Sequence, residues 1–185
     1  MAALWQSCFG VNLQAAKTEL ERGADVNYWH EGSTCLMLAV ASQNEELVSF
    51  LLGQQGLEVN AIASNNQTAL HIAGQYSSPA IIRMLLDFPG IDREAHDSEG
   101  RSPLISSILN GGNIAQVNEF FLTPGMCLQE TDMIELAKAK PEDLAKANPE
   151  VIDMILARAQ KENEESTIRE SKRLEEQKRL EKSRN

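Results

Sequence analysis

The sequence predicts an all-α solenoid of stacked helix pairs joined by turn fingers, with about three clear repeats, degenerate terminal caps and a charged C-terminal helix. Three observations carry this. The stretch "QTALHIAG", Gln67 to Gly74, has a fainter copy at an equal interval to either side, "STCLMLAV" from Ser33 and "RSPLISSI" from Arg101. The same interval separates Leu47, Val48, Leu51 and Leu52 from Ile81, Ile82, Leu85 and Leu86. Polar and apolar positions thus share one period, which marks a repeat architecture. Finally, turn-rich segments lie between the copies, "GADVNYWHEG", "GLEVNAIASNN" and "GIDREAHDSEG". They are too short for a further helix and carry Gly, Asn and Asp where tight turns want them.

Residues 1–27 read as a degenerate N-terminal capping repeat and residues 28–128 as three full repeats. Within the central unit Thr68 is placed to cap a helix beginning at Ala69, its hydroxyl accepting from an N–H that the helix leaves unpaired. Leu70, Ile72 and Ala73 then form an apolar face, and the small side chain of Ala73 lets a second helix come close. Ser78 and Pro79 announce that second helix, a cap followed by a first-turn proline, and its stripe is Ile81, Ile82, Leu85 and Leu86. Thr34 and Ser102 repeat the cap, and Leu36 and Leu104 repeat the leucine. Such a pair cannot bury its stripe alone, so neighbours must stack into one elongated core.

After Pro124 the pattern dissolves, although "NPEVIDMILARA" still offers Pro149 in a first turn and the stripe Val151, Ile152, Ile155 and Leu156. Residues 129–160 are therefore expected to be a degenerate C-terminal cap, and residues 161–185 a charged tail, helical or disordered. In that tail Glu165 with Arg169 and Glu175 with Arg179 stand at i, i+4, which favours a solvated helix. Ile168, Leu174 and Leu180 are too few and wrongly spaced for a coiled-coil seam.

These motifs resemble the ankyrin repeat family, with its period of about 33 residues and its T-P-L-H-x-A signature. "TALHIA" departs from that signature only at Ala69, "TCLMLA" at Cys35 and Met37, and "SPLISS" keeps Pro103 and Leu104. "GADVN" and "GLEVN" match the turn that closes each repeat. The resemblance implies that His71 is a structural ring bonding backbone across repeats. It also implies a concave surface of turn fingers and inner helices that grips a protein partner. Carried onto this chain, that surface holds Tyr28, Trp29, His30, Glu31 and Ser33 in the first finger, and Ile62, Ser64, Asn65 and Gln67 in the second. Gln75 and Tyr76 follow from an inner helix end, and His96, Ser98, Glu99 and Arg101 from the third finger. Both tyrosines and one of two tryptophans fall in this set, in a chain with only 5% aromatics. Tyr and Trp supply much of the binding energy of typical interfaces. The plainer alternative is that Trp29 merely covers a shortened first finger.

A second reading makes the chain a substrate. Asparagines in such closing turns resemble sites of an asparaginyl hydroxylase, and Leu52, Glu58, Val59 and Asn60 fit its preference, whereas Glu19 stands where the first turn would need leucine.

Composition narrows the remaining classes. The formal charge is −10, with 20 acidic and 9 basic side chains in residues 1–160, so an acidic body disfavours nucleic acid. The longest apolar run is seven residues, Cys35 to Ala41, too short for a membrane span. Cys8, Cys35 and Cys127 show no paired spacing, which suits a reducing compartment, cytoplasmic or nuclear. The three histidines have no zinc-type spacing, and neither a Gly-rich phosphate loop nor H-E-x-x-H occurs. A monomeric, non-catalytic interaction protein without metal or cofactor is the expectation.

Overall fold

The computed structural model describes residues 2–76, 78–122, 136, 139 and 146–182. The chain divides into two compact units, residues 1–148 and 149–185. In the first, α1 (Ala2–Phe9), α3 (Cys35–Ala41), α5 (Ala69–Tyr76) and α7 (Pro103–Leu109) form an inner row, each packed on the next. The outer row comprises α2 (Leu13–Glu21), α4 (Glu45–Leu52), α6 (Pro79–Leu86) and α8 (Ile114–Leu122). Each outer helix folds back against its inner partner. Residues 129–135, 137–138 and 140–145 of the expected 129–160 cap lie outside the described residues, as does Cys127.

Local chemistry sets the helix starts. Asn12, Thr34, Asn44, Ser78 and Ser102 each take extended backbone and accept the N–H three residues on, from Ala15, Met37, Leu47, Ile81 and Ile105. Pro79 and Pro103 follow two of these caps in the first turn. Thr68 does the same more loosely, at 3.5 Å from the N–H of His71, because its hydroxyl also meets the histidine ring.

The core is a ladder. Leu4, Leu36, Leu70 and Leu104 are all 2% exposed or less, and behind them lie Leu47, Val48, Leu51, Ile81, Ile82, Leu85, Leu86, Val117 and Phe120. Leu52 and Ile72, grouped with the core by sequence, are only half-buried. Neighbouring inner helices α5 and α7 approach closely at Gly74. A Cβ on Gly74 would stand 2.9 Å from the Pro103 carbonyl oxygen and 3.1 Å from Ser107 Cβ. Across the outer row the Arg83 guanidinium donates to both carboxylate oxygens of Glu119, at 2.8 and 2.6 Å.

Left-handed residues turn the chain from inner to outer helix. Gln43 (φ 57°) and, in the first repeat, Val11 (φ 55°) stand just before the caps Asn44 and Asn12, and Gly111 (φ 81°) stands two before Asn113, which accepts the Gln116 N–H. A β-branched side chain is poorly suited to left-handed backbone, and Val11 is also exposed, so no burial compensates.

In the second unit, α9 (Pro149–Lys182) is a single 34-residue helix that passes residue 160 without a break. Val151 and Ile155 are buried, whereas Leu156 and Ile168 are exposed, and Glu165 pairs with Arg169 at 3.4 Å. No helix among the described residues is long and apolar enough to cross a membrane.

This packing has consequences for stability. Leu85→Ala leaves a hole among fully buried neighbours and is expected to cost about 2–5 kcal/mol in chemical denaturation; a parental midpoint would show the stripe is not a core. Val11→Asn removes a β-branched residue from left-handed backbone and should gain about 1 kcal/mol, read as a rise in the melting midpoint. An unchanged or lower midpoint would mean that the turn is not strained.

Candidate functional site

The first finger is a small hairpin, a feature the all-helical expectation did not include. β1 (Trp29–His30) pairs antiparallel with β2 (Ser33–Thr34), Trp29 opposite Thr34 and His30 opposite Ser33. Glu31 (φ 48°) and Gly32 (φ 82°) form the two-residue turn, the doubly left-handed kind whose twist matches the strands. A Cβ on Gly32 would come 2.9 Å from Ser64 Oγ in the second finger, so the fingers approach closely there.

An aromatic cluster supports this hairpin. The His30 ring lies over Tyr28 (6.1 Å, 17°) and against the edge of Trp5 (4.8 Å, 78°), and Trp5 stacks on Phe9 (5.4 Å, 8°). Tyr28, His30 and Ser33 are half-buried, whereas Trp29 and Glu31 are exposed. Trp29 is 51% exposed, and Trp5 from α1 meets the finger at His30. His30 Nε2 also lies 3.8 Å from Glu31 Oε1. Sequence reasoning passed over Trp5 and Phe9. The available signal was two aromatics at i, i+4 in the first helix of a chain poor in aromatics.

In the second finger the Ala63 N–H donates to the Gln67 carbonyl at 2.8 Å and Asn66 (φ 59°) turns the chain. Ile62, Ser64 and Asn65 are exposed, and Gln67 is half-buried. The third finger is organised by Asp97, another residue the sequence did not single out. Its Oδ1 accepts the N–H groups of Glu99 and Arg101, at 2.9 and 3.0 Å, and its Oδ2 accepts the Arg101 guanidinium at 3.0 and 2.9 Å. Burial pushes the Asp97 carboxyl up, but these hydrogen bonds outweigh it and hold the group below its ordinary value. Arg101 reaches Glu99 as well, at 3.0 Å, so its charge is committed within its own finger. His96, Ser98 and Glu99 are exposed. The Ser98 N–H donates to the Asn65 carbonyl at 2.9 Å, which ties the second finger to the third. Gln75 is half-buried and Tyr76 exposed, at the far end of α5 from the fingers.

Side chains that bridge repeats explain two further positions. Asn27 donates to the Gly56 carbonyl and accepts the Glu58 N–H, at 2.7 and 2.8 Å. Asn60 repeats this with Gly90 and Asp92, both at 2.8 Å. His71 is fully buried, and its tautomer is fixed by backbone. The Thr68 N–H can only donate, so Nδ1 accepts it at 3.2 Å. Nε2 therefore carries the proton and donates to the Arg101 carbonyl at 2.9 Å, crossing to the next repeat. Burial pushes the imidazole below its ordinary value, and the Arg101 carbonyl only partly opposes this.

Cys8 and Cys35, unpaired in the sequence reading, are both buried free thiols. The neighbouring Cys8 thiol, with burial, pushes the Cys35 thiol up, so it stays protonated. Among the described residues no group of His, Cys, Asp and Glu is placed to hold a metal ion.

Helix pairs stacked in two rows, with fingers at one end and side chains bonding the backbone of the next unit, define a repeat solenoid. A family model described as ankyrin repeats (3 copies) matches residues 36–132, just over half of the 185 residues. The chain belongs to the ankyrin repeat family. It is 33% identical over 81 residues to NF-kappa-B inhibitor delta of Mus musculus, covering 43% of this chain and 24% of that protein. Rabankyrin-5 of Mus musculus is 38% identical over 108 residues, covering 49% and 9%. Alpha-latrotoxin-Lg1a of Latrodectus geometricus is 26% identical over 126 residues, covering 66% and 9%. The chain thus spans no more than 24% of the length of these relatives.

The His71 geometry carries a pH prediction. Its value in the fold lies below that of an unfolded imidazole, about 6.5, so its contribution to stability is complete above that pH. The contribution is lost as pH falls through the depressed folded value, at up to about 1.4 kcal/mol per pH unit. Urea midpoints between pH 7.5 and 4.5 should fall more steeply for the parent than for His71→Asn; parallel curves would refute the assignment.

Proposed function

We propose that this chain is a non-catalytic protein-interaction scaffold that binds an intracellular protein through its turn fingers and inner helices, acting as an adaptor or inhibitor. The observation that carries the reading is the exposure of Trp29 (51%), Ile62 (56%) and Tyr76 (61%), all within the expected partner-binding set, on a stack whose inner-row leucines Leu4, Leu36, Leu70 and Leu104 are buried. Two of the three are aromatic, the residue class from which interface anchors are drawn, and each is presented by hydrogen-bonded structure. The pre-formed fingers reduce the ordering cost of association. The family itself supports protein recognition, and one relative is named an inhibitor. The cysteine usage favours cytoplasm or nucleus, and a single stack of this kind acts as a monomer.

The hydroxylase-substrate reading rests on the sequence around Asn60 alone. The two backbone hydrogen bonds that its amide makes are also made by Asn27, so a structural role accounts for asparagine at both places.

Replacing Tyr28 and Trp29 together with Ala tests the scaffold reading. Quantitative affinity purification should show loss of the specific partners, equivalent to about 2 kcal/mol or more, while the melting midpoint moves little. Leu156→Ala in the second unit serves as control. Partners retained alongside a lowered midpoint would show that the pair only braces the finger.

A further inference from the structure

The open face of the stack has a one-sided charge pattern. The four inner helices, "AALWQSCF", "CLMLAVA", "ALHIAGQY" and "PLISSIL", contain no Asp, Glu, Lys or Arg at all. The turns at their far ends, "GVN", "SQN" and "NGGN", are also uncharged. The opposite edge differs. The segments 23–33, 56–67 and 90–101 hold seven carboxylates, Asp25, Glu31, Glu58, Asp92, Glu94, Asp97 and Glu99, against two cations. Both cations are committed within the fold. Arg101 is held by buried Asp97 and by Glu99, so five of the seven carboxylates lie outside that pairing, and Arg93 is half-buried with its guanidinium on the Leu86 carbonyl.

The extent of the uncharged strip can also be read. Leu38 and Ile72, one repeat apart, are half-buried at equivalent places on α3 and α5, and Ala41, Gln75 and Tyr76 follow toward the far edge. Phe9 at the end of α1 is 68% exposed. Ser106, the next position in the series, is buried, as is every other residue of α7. The accessible strip therefore runs from α1 to α5 and stops there. Its apolar residues, Phe9, Leu38, Ile72 and Tyr76, are spread over α1, α3 and α5, and the exposed Trp29 and Glu31, the latter's side chain 71% exposed, stand on the finger edge.

We infer that this strip takes a segment of another protein whose apolar face is bordered along one edge by Lys and Arg. An apolar stripe on the segment would cover Phe9, Leu38, Ile72 and Tyr76, and its basic edge would lie along the carboxylate-bearing fingers. A segment with acidic edges would set carboxylate against carboxylate with no cation between, which complementary interfaces avoid. A second copy of this chain is disfavoured for the same reason, since like fingers would meet. The inference rests on the scaffold reading above and adds the chemistry of the partner.

The test is selection from a phage-displayed library of short random peptides on the full chain at about physiological salt, where exposed charges are screened over roughly 8 Å. The enriched peptides are then measured by fluorescence anisotropy against the parent, Tyr76→Ala, Trp29→Ala and Glu31→Lys. Melting midpoints equal to the parent's establish that each exposed-site variant is folded. The expected result is enriched peptides that are net basic with two or more large apolar residues, weakened about tenfold by Tyr76→Ala or Trp29→Ala. Glu31→Lys should weaken them several-fold, and rising salt should do the same. Acidic or neutral peptides that still respond to Tyr76→Ala would overturn the partner chemistry while leaving the scaffold reading in place. Basic peptides indifferent to both aromatic changes would overturn the two together. Failure to enrich any peptide, or concentration-dependent self-association instead, would also overturn the proposal.

Discussion

The stack depends on side chains that reach from one repeat to the backbone of the next. Asn27, Asn60 and His71 each close hydrogen bonds to the following unit, onto groups that would otherwise be left without partners in tight turns. Each such bond is worth only about 0.5–1.5 kcal/mol net. Their consequence for geometry is larger, because they fix the rise and rotation between units. Apolar burial holds the helices together but is non-directional. It would accept a slipped neighbour almost as readily, whereas an asparagine amide that must meet one carbonyl and one N–H will not.

Much of this was legible in the sequence because caps and stripes are local. Thr34, Ser78 and Ser102 read as helix starts from neighbours three residues away, and Ile81, Ile82, Leu85 and Leu86 read as core from helical spacing. What escaped were contacts set by neighbouring units. Gly74 sits beside Ala73, and only α7, whose Pro103 carbonyl oxygen would stand 2.9 Å from a Cβ on residue 74, distinguishes the two. Asp97 lies among other carboxylates in a turn-rich segment. Its role appears only when the finger curls round to offer it two N–H groups and a guanidinium. Trp5 was hidden by a break in the period. The interval from the left-handed Val11 to its counterpart Gln43 is shorter than that from Thr34 to Thr68, so the spacing that relates the later repeats misses the first helix.

Once the shorter first interval is allowed for, Trp5 stands level with Met37 and, one full repeat later, with His71. The two rings do related work by different physics. His71 places both nitrogens in hydrogen bonds and holds the following finger by direction. Trp5 holds the following finger by area, its ring against His30 and Phe9. Its buried indole nitrogen makes no hydrogen bond, which costs about 1–3 kcal/mol. Aromatic packing of this kind is worth about 0.5–1.5 kcal/mol per ring pair beyond the burial itself.

The fingers consequently differ in how they are fixed. The third is closed by a buried carboxylate with four hydrogen bonds and is tied to the second through Ser98 and Asn65. The first combines a two-residue hairpin with stacked rings, whose contact tolerates small sliding and tilting that a bidentate ion pair does not. Exposed Trp29 and Glu31 are both on this more adjustable finger, at the end of the stack where the inner helices are open. The N-terminal region can therefore adapt by small shifts, backed by repeats held in register. On the scaffold function proposed above, residues 28–31 would then supply discrimination between partners and α3 and α5 the supporting surface.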